Sequence, residues 1–410
     1  MNCRFCGHTL SYQLIDLASS PASNSFLTED QLNEPEVSYP LKLFICDICF
    51  LVQTDEYKKS TEIFNSEYLY FSSFSKTWLD HAKGYVGMMV DRFGYDRRKR
   101  VIEIASNDGY LLQYFRERGI PVLGIEPAAS TAAAAEQKGI ETIVEFFGKE
   151  LAKRLAGQDR KADLLVGNNV LAHVPDLNDF TAALKIALKS DGIITMEFPH
   201  LMQLIDKCQF DTIYHEHFSY LSFLTVRSVF HRHGLEIFMV EELPTHGGSL
   251  RIFAKHSEDE TKTISSGVSA LLEREKAKGL SNIAYYAGFQ ARVDGIKYEL
   301  LQFLIEQKRN NKRVVAYGAA AKGNTLLNYC GIRKDLLEFV ADASPYKQGK
   351  YLPGSHIPIL SEQEIKRSKP DFVIILPWNI KEEIIAQLEY IRAWGGKFVI
   401  PIPHVKLLRA

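Results

Sequence analysis

The sequence predicts an α/β protein in three parts, and three observations carry that prediction. Two CxxC pairs lie within the first 50 residues. Apolar, strand-like runs then alternate with helical segments from residue 100 to residue 254. A separate strand–turn–helix unit begins at Arg313. We therefore expect a cysteine-containing module with a following lid segment at 1–75, a central Rossmann-like domain at 76–260, a helical connector at 261–310 and a smaller Rossmann-like domain at 311–410.

Composition narrows the class of protein. The 410 residues are 46% hydrophobic and 24% charged, as in a soluble globular protein of two or three domains. The formal net charge of −1 and the absence of a basic run argue against a nucleic-acid partner or a membrane surface. No stretch of about 18 apolar residues predicts a membrane span. The N-terminus lacks the apolar region of a signal peptide. The six cysteines, four of them in CxxC pairs, indicate a reducing compartment, so we expect a cytoplasmic protein.

The paired cysteines predict a metal site. Each CxxC knuckle presents two sulfurs, and two knuckles supply the four thiolates of a tetrahedral zinc site. Such a site has no open coordination position, so the zinc would be structural. The alternatives are incidental pairs or a redox disulfide. The predicted ligands are Cys3, Cys6, Cys46 and Cys49.

The segment 67–76 mixes aromatic and hydroxyl side chains, which is unusual for a helix. The simpler interpretation is a half-buried segment that packs on the next domain. The alternative is a lid that carries Tyr68 or Tyr70 into a site.

A strand–turn–helix–strand unit begins at Arg100, and its second strand ends at Glu126. The turn has Ser-Asn-Asp-Gly in place of the GxGxxG of a dinucleotide site, whose glycines lie against a pyrophosphate. S-adenosylmethionine has no pyrophosphate and needs an acid for its ribose hydroxyls, a role that Glu126 fits. The alternative for Glu126 is a solvated strand end. The residues predicted to bind this cofactor are Glu103, Ser106, Asn107, Asp108, Gly109, Glu126, Asn168 and Asn169.

Polar residues also follow later strands of the alternation. Ligands of doubly wound sheets bind beyond the carboxyl ends of the strands. His173, Glu197 and His200 lie at such ends, and an antiparallel pair with His246 in its turn follows at 235–254. As a set they predict a pocket rim, although each could instead be a cap or turn residue.

The unit at 313–327 has a turn of small residues before a helix, which suits a phosphate. Lys322 adds charge, and the loop at 344–354 adds Tyr346 and Lys347. We interpret this unit as a diphosphate site; the alternative is a turn used for packing only.

The sequence Tyr-His-Glu-His at 214–217 is typical of acid–base chemistry. A metal interpretation would use His215 and His217, which point to one side of a strand, but no third ligand is obvious nearby.

Over essentially its whole length the chain resembles the nucleotide-sugar C-methyltransferases, the C-3′-methyltransferases of deoxysugar biosynthesis. The resemblance is carried by the cysteine module, Glu-Ile-Ala-Ser-Asn-Asp-Gly at 103–109, Tyr-His-Glu-His at 214–217, Gly-Ala-Ala-Ala-Lys-Gly-Asn at 318–324 and Ser-Pro-Tyr-Lys-Gln-Gly-Lys at 344–350. It implies a class I S-adenosylmethionine-dependent methyltransferase fold for the central domain. It also implies a sugar nucleotide bound between the central and C-terminal domains.

The same resemblance assigns residue roles. His217 would be the base, supported by Tyr214 and Glu216, and Tyr70 rather than Tyr68 would reach the site. From their places at strand ends, in turns and in the loop at 344–354, the residues predicted to bind the substrate are His173, Glu197, His200, His246, Lys322, Asn324, Tyr346 and Lys347.

The implied reaction adds a methyl group to C3 of a dTDP-type 4-keto-6-deoxysugar through an enolate. The alternatives are an O-methyltransferase acting on a sugar or small molecule, and a non-catalytic zinc-containing protein that binds S-adenosylmethionine or a nucleotide. We expect a monomer or a homodimer.

Overall fold

The computed structural model describes residues 1–63 and 71–408. Its strands are β1 (Tyr12–Ser20), β2 (Tyr39–Ile45), β3 (Val52–Thr54), β4 (Val101–Ile104), β5 (Val122–Ile125), β6 (Thr142–Ile143), β7 (Ala162–Asn168), β8 (Leu188–Pro199), β9 (Ser219–Tyr220), β10 (Leu235–Leu243), β11 (Ser249–His256), β12 (Val314–Tyr317), β13 (Val340–Ala341), β14 (Ile359–Leu360), β15 (Phe372–Ile375), β16 (Lys397–Ile400) and β17 (Lys406–Leu408). Its α-helices are α1 (Ser60–Ile63), α2 (Lys76–Phe93), α3 (Leu112–Arg116), α4 (Ala129–Gln137), α5 (Lys149–Gly157), α6 (Leu177–Ala187), α7 (Leu201–Asp206), α8 (Phe223–Arg232), α9 (Ser266–Lys278), α10 (Phe289–Arg309), α11 (Ala321–Cys330), α12 (Gln363–Ser368) and α13 (Lys381–Gln387).

The central sheet has the strand order β10-β11-β8-β7-β4-β5-β6. Strands β4 to β8 pair in parallel, whereas β11 runs antiparallel to both β8 and β10. Every residue of β4 and β7 is buried, as expected for strands covered by helices on both faces. The α/β prediction and the antiparallel pair expected at 235–254 are both confirmed.

The N-terminal sheet has the order β1-β2-β3-β9 and is antiparallel. Its last strand comes from a distant part of the chain, because Val52 pairs with Tyr220. The chain therefore enters this sheet directly after residues 214–217. The loop that holds these four residues is fixed between the central and N-terminal sheets.

The N-terminal strands share their core with the rest of the protein. Leu14, Ile15 and Leu17 of β1 are buried in one apolar cluster with Val293 and Leu300 of α10. The strands are stabilised by burial against a helix that lies more than 270 residues later, which no local pattern could show.

The C-terminal sheet has the order β14-β13-β12-β15-β16-β17, and β17 alone in this sheet runs antiparallel to its neighbour. Helix α11 begins four residues after β12, as the strand–turn–helix pattern predicts. Helices α9 and α10 occupy the expected connector. The domain boundaries themselves stay a prediction. No helix in the described ranges is long and apolar enough to cross a membrane.

Candidate active site

A cavity of about 500 Å³ lies where the carboxyl ends of the central strands face the start of α11. All three parts of the chain line it, including Asn24 from the N-terminal module and Lys322 from α11. The sequence-predicted residues that line it are Asn107, Glu126, Asn168, Asn169, His173, Tyr214, Glu216, His217, His246, Lys322 and Lys347. Tyr70 lies outside the described residues.

The turn after β4 is held by Glu126. The two carboxylate oxygens of Glu126 accept hydrogen bonds from the backbone N–H groups of Asn107 and Ala128, each at 2.9 Å. Burial raises the pKa of Glu126, and these two donors oppose that shift. Asn107 adopts a φ of 49°, a left-handed conformation that Asn tolerates better than most residues. The turn thus presents Asn107 and Glu126 to the cavity together.

The other residues of this turn lie behind it. Glu103 is fully buried beside Tyr110, and burial raises its pKa well above the usual value. The Asp108 carboxylate forms an ion pair with Lys138, with Nζ and Oδ2 3.2 Å apart. A Cβ on Gly109 would lie 2.4 Å from the Ile140 side chain, so this glycine is required by packing. The Ser106 side chain lies where a Cβ on Gly124 would also clash, so these two residues pack closely. These four residues do not line the cavity.

Asn168 and Asn169 line the cavity at the end of β7, and Asn169 has a φ of 56°. The side-chain oxygen of Asn169 is buried and has no hydrogen-bond partner among the described residues. A buried amide oxygen without a partner is costly unless a ligand satisfies it. This observation supports a ligand at the strand ends.

Glu197 and His200 are not brought to the cavity. The carboxylate of Glu197 pairs with His81 at 2.8 Å and with Arg251 at 2.9 Å. His200 is paired with Glu275 at 2.6 Å, and both side chains are almost fully buried. Both sequence-predicted residues thus have charged partners from distant elements. Neither role was visible from the strand-end position alone.

His246 reaches the cavity because Glu197 anchors its turn. The hydroxyl of Thr245 donates to Glu197 at 2.8 Å, and His246 follows with a φ of 53°. Its ring meets the Trp78 ring edge-on, with centroids 5.2 Å apart. Burial lowers the pKa of His246 to about 4, so the imidazole is neutral at physiological pH.

His217 lies at the centre of the polar cluster. Its Nδ1–H donates to the carbonyl oxygen of Thr212 at 3.1 Å, which leaves Nε2 as the unprotonated nitrogen. The ring centroid lies 4.1 Å from that of Tyr214 and 4.5 Å from that of His173. Burial lowers the pKa of His217 well below its usual value, and the neighbouring His173 lowers it further. The geometry thus provides a neutral, oriented imidazole.

His215 faces away from the cavity. Its Nε2–H donates to the carbonyl oxygen of Pro40 at 3.2 Å, and its ring packs against Tyr39 at 5.8 Å. Among the residues that the structure describes, neither His215 nor His217 belongs to a cluster that could hold a metal ion. The metal interpretation of this pair therefore has no geometric support.

Glu216 lines the cavity beside the base. One carboxylate oxygen accepts a hydrogen bond from the side-chain amide of Asn24 at 2.7 Å. Burial raises the pKa of Glu216 to about 7, and the Asn24 hydrogen bond opposes the shift. Sequence reasoning missed Asn24, because it lies in a polar segment 192 residues from Glu216 with no motif around it.

The start of α11 supplies the opposite wall. Lys322 is partly buried, donates to the side-chain oxygen of Asn379 at 2.6 Å and lies 4.9 Å from the centre of the Trp378 ring. Burial lowers its pKa. Lys347 donates to the carbonyl oxygen of Ala319 at 2.9 Å. Two ammonium groups thus flank the first turn of the helix.

Asn324 and Tyr346 do not line the cavity. The Asn324 amide donates to the carbonyl oxygen of Ser23 at 2.6 Å, so it holds the N-terminal module. Tyr346 is exposed and stacks on Phe71 with ring centroids 5.8 Å apart.

The four predicted metal ligands come together in the N-terminal module. The sulfur of Cys3 lies 3.4 Å from that of Cys49, and the sulfur of Cys6 lies 3.5 Å from that of Cys46. All four sulfurs lie within 4.8 Å of one another. This all-sulfur set fits a closed tetrahedral zinc site.

The strand order of the central sheet, the acid at the end of its second strand and the polar cavity at its carboxyl edge define an S-adenosylmethionine-dependent methyltransferase. Family models match successive parts of the chain: a putative zinc binding domain at 3–64, a methyltransferase domain at 79–240 and a C-methyltransferase C-terminal domain at 244–403. C-methyltransferase NovU of Streptomyces niveus is 32% identical over 408 residues, which is 100% of this chain and 97% of that protein. The chain belongs to this C-methyltransferase family. It is an S-adenosylmethionine-dependent C-methyltransferase with a zinc-binding N-terminal module.

Other similarities are more local. A ubiquinone biosynthesis O-methyltransferase of Pasteurella multocida is 28% identical over 107 residues, 23% of this chain and 44% of that protein. The magnesium protoporphyrin IX methyltransferase ChlM of Synechocystis, solved with bound S-adenosylmethionine, shares 15% identity over 44% of this chain and 79% of that chain, with a TM-score of 0.34. The PH0226 protein of Pyrococcus horikoshii shares 13% identity over 46% of this chain and 94% of that chain, with a TM-score of 0.37. TM-scores of 0.34 and 0.37 do not indicate a shared function.

Proposed function

We propose that this C-methyltransferase adds its methyl group to C3 of a nucleotide-activated 4-keto-6-deoxysugar of the dTDP type, with His217 as the base. One observation carries the proposal. A neutral imidazole with Nε2 as its unprotonated nitrogen lies in a cavity whose walls are the carboxyl edge of the central sheet and the lysine-flanked start of α11.

The central-sheet side of the cavity fits S-adenosylmethionine. Glu126 would hold the ribose hydroxyls, and Asn168 and Asn169 would contact the rest of the molecule. The buried Asn169 oxygen without a partner in the described part of the chain supports this assignment. When bound, S-adenosylmethionine supplies the methyl group, so that C3 forms a carbon–carbon bond as the methyl–sulfur bond breaks.

The base must remove a proton from a carbon atom. A proton at C3 is acidified by a 4-keto group, and His217 Nε2 would take it to give an enolate. The lowered pKa keeps His217 unprotonated at neutral pH, and its hydrogen bond to Thr212 fixes the ring for the transfer. Tyr214 packs on this ring and would donate a hydrogen bond to the enolate oxygen. His173 and His246 would complete this wall as neutral groups.

The C-terminal side fits a nucleoside diphosphate. A helix N-terminus offers backbone N–H groups to phosphate oxygens, and Lys322 and Lys347 add positive charge beside it. The substrate would span the expected boundary between the central and C-terminal domains. Carbon methylation follows from the full-length family match, whereas the O-methyltransferase similarity covers 23% of the chain.

The proposal is tested by incubating the enzyme in D₂O with S-adenosylmethionine and a panel of nucleotide 4-keto-6-deoxysugars, read by mass spectrometry and NMR. We expect one added methyl on C3 of at least one sugar. We also expect deuterium exchange at C3 when S-adenosylmethionine is withheld, because the base acts on its own. A methyl at another carbon, or no C3 exchange with any sugar from folded and zinc-loaded protein, would overturn the proposal.

A further inference from the structure

A loop of the cysteine module enters the active-site cavity. Strand β1 ends at Ser20, the next three residues are buried, and Asn24 then lines the cavity. Its side-chain N–H₂ donates to the Glu216 carboxylate at 2.7 Å. The module therefore contributes a polar side chain to the site, beyond its four thiols.

The backbone on both sides of Asn24 is fastened to the C-terminal part. The carbonyl oxygen of Ser23 accepts from Asn324 on α11 at 2.6 Å. Leu27 exchanges two backbone hydrogen bonds with Tyr351, at 3.0 and 2.8 Å. Asn24 is thus held by the same helix whose first turn forms a wall of the cavity.

Farther along, Glu36 accepts from the Gly354 N–H at 2.9 Å and pairs with His356 at 2.9 Å. These contacts fix the loop over more than a dozen residues. The backbone that carries Asn24 is therefore held by the fold and not by the contact with Glu216.

The hydrogen bond from Asn24 stands out among the interactions of Glu216. The Glu216 side chain is 4% exposed, and in the described ranges the hydrogen bond to its carboxyl comes from Asn24. Lys58 of the N-terminal module acts on it through charge, and the His173 ring bonds its backbone. The remaining titratable groups around the cavity are Glu126, Glu145, Asp176, Asp179, Tyr110, Tyr214, His217, His246, Lys322 and Lys347.

We propose that Asn24 is a positioning residue of the methyltransferase site, which aims the Glu216 carboxyl into the cavity and favours its ionised form. An amide N–H₂ can only donate to a carboxylate, so the contact is strongest when Glu216 is charged. The participation of Glu216 in the reaction rests on the proposed function, whereas the contact itself does not. The zinc-binding module thereby completes the site.

The direct test is an infrared titration of Glu216 in the whole, zinc-loaded enzyme without substrate. The carboxylic acid band that is present in the native protein and absent from Glu216→Gln reports protonation at this residue. In Asn24→Ala, loss of a hydrogen bond to a charged group raises the midpoint by about one to two pH units. In the near-isosteric Asn24→Asp, two facing carboxyls share one proton, and the band persists to higher pH than in the native enzyme.

Asn33→Asp is the matched control, because Asn33 is exposed in the same module. It should leave the band unchanged. The proposal would be overturned if the Glu216 midpoint in folded Asn24→Ala stays within about 0.3 pH units of the native midpoint. One pH unit corresponds to about 1.4 kcal/mol. An unchanged band in Asn24→Asp would overturn the proposal as well.

Activity separates this proposal from the proposed function. If Asn24→Ala shifts the infrared midpoint but the native enzyme exchanges no C3 proton, the positioning role stands and the proposed substrate is wrong. If the native enzyme exchanges and methylates normally while the midpoint does not move, the positioning role is wrong and the substrate stands. When both hold, we expect the pH profile of kcat to shift to higher pH with the infrared midpoint, while the Kd for S-adenosylmethionine stays native.

Discussion

The Nδ1 proton of His217 is held by the carbonyl oxygen of Thr212 at 3.1 Å, and not by the adjacent Glu216. A backbone carbonyl fixes the tautomer, as a carboxylate would, but adds no negative charge. The pKa of His217 therefore stays low. The carboxyl of Glu216 is left to face the cavity with Asn24 as its partner.

The first prediction concerns the base. His217→Asn should lower C3 deuterium exchange and methyl transfer by about 10² to 10⁴, the range that a positioned base contributes. Binding of S-adenosylmethionine, measured by calorimetry, should stay native because His217 is not among the proposed cofactor contacts. His231→Asn, at an exposed position on α8, is the control. Near-native exchange in folded His217→Asn would remove His217 as the base.

The same histidine predicts a dependence of stability on pH. Its folded pKa lies well below the unfolded value near 6.5, so the unfolded chain binds the proton first as pH falls. Its contribution to stability is complete above pH 6.5 and is lost below it. His217→Gln should therefore reduce the slope of unfolding free energy against pH by about 1.4 kcal/mol per unit between pH 6.5 and 5.

Urea unfolding at several pH values measures this slope. The His231→Asn control, at an exposed position, should keep the native slope. An unchanged slope in His217→Gln would mean that His217 is solvated or already charged in the folded protein.

The sequence predicted those parts of the site that depend on local order. Strand ends of a parallel sheet meet at one edge, so Glu126, Asn168 and Asn169 could be placed together before their contacts were known. The turn before α11 was recognisable for the same reason, since small residues and Lys322 follow a buried strand directly. Periodicity and strand order are properties of neighbouring residues.

What the sequence did not show depends on partners far along the chain. Glu197 and His200 have the right position for a rim, yet Arg251 and Glu275 hold them away from it. Asn24 lines the site because a hydrogen bond from the C-terminal part holds its loop in place. Such contacts follow from tertiary packing, and no local spacing encodes them.

A third prediction addresses the cofactor. In Glu126→Gln, the side-chain N–H₂ would face the backbone N–H of Asn107 or of Ala128, so two donors would oppose each other. The substitution also removes a carboxylate oxygen that would accept from the ribose hydroxyls. We expect the Kd for S-adenosylmethionine to rise at least tenfold, with a loss of about 1–3 kcal/mol in unfolding free energy. Glu117→Gln, exposed after α3, is the control. A Kd within twofold of native would assign the ribose to another residue.

Metal removal gives a fourth prediction. Purified protein should contain one zinc per chain by elemental analysis, and Cys46→Ser should lose it. Because a closed four-thiolate site contributes its binding energy to folding, the variant should lose several kcal/mol of unfolding free energy. Four free thiols should appear when zinc is released by a chelator. A disulfide between the pairs, in protein kept under reductant, would contradict the zinc assignment.

The last prediction concerns the nucleotide. Lys322→Met keeps the length of the side chain and its packing on Trp378 but removes the ammonium group beside the start of α11. If that ammonium neutralises a diphosphate, KM for the sugar nucleotide should rise by about 10- to 100-fold at low salt, with little change in the Kd for S-adenosylmethionine. The penalty should shrink as ionic strength rises, since salt weakens the native contact and leaves the variant unaffected. Lys334→Met, on an exposed loop of the same domain, should keep the native KM. A native KM in Lys322→Met would show that Lys322 is retained for its hydrogen bond to Asn379 and its ring contact, and the diphosphate would then have to be sought at Lys347.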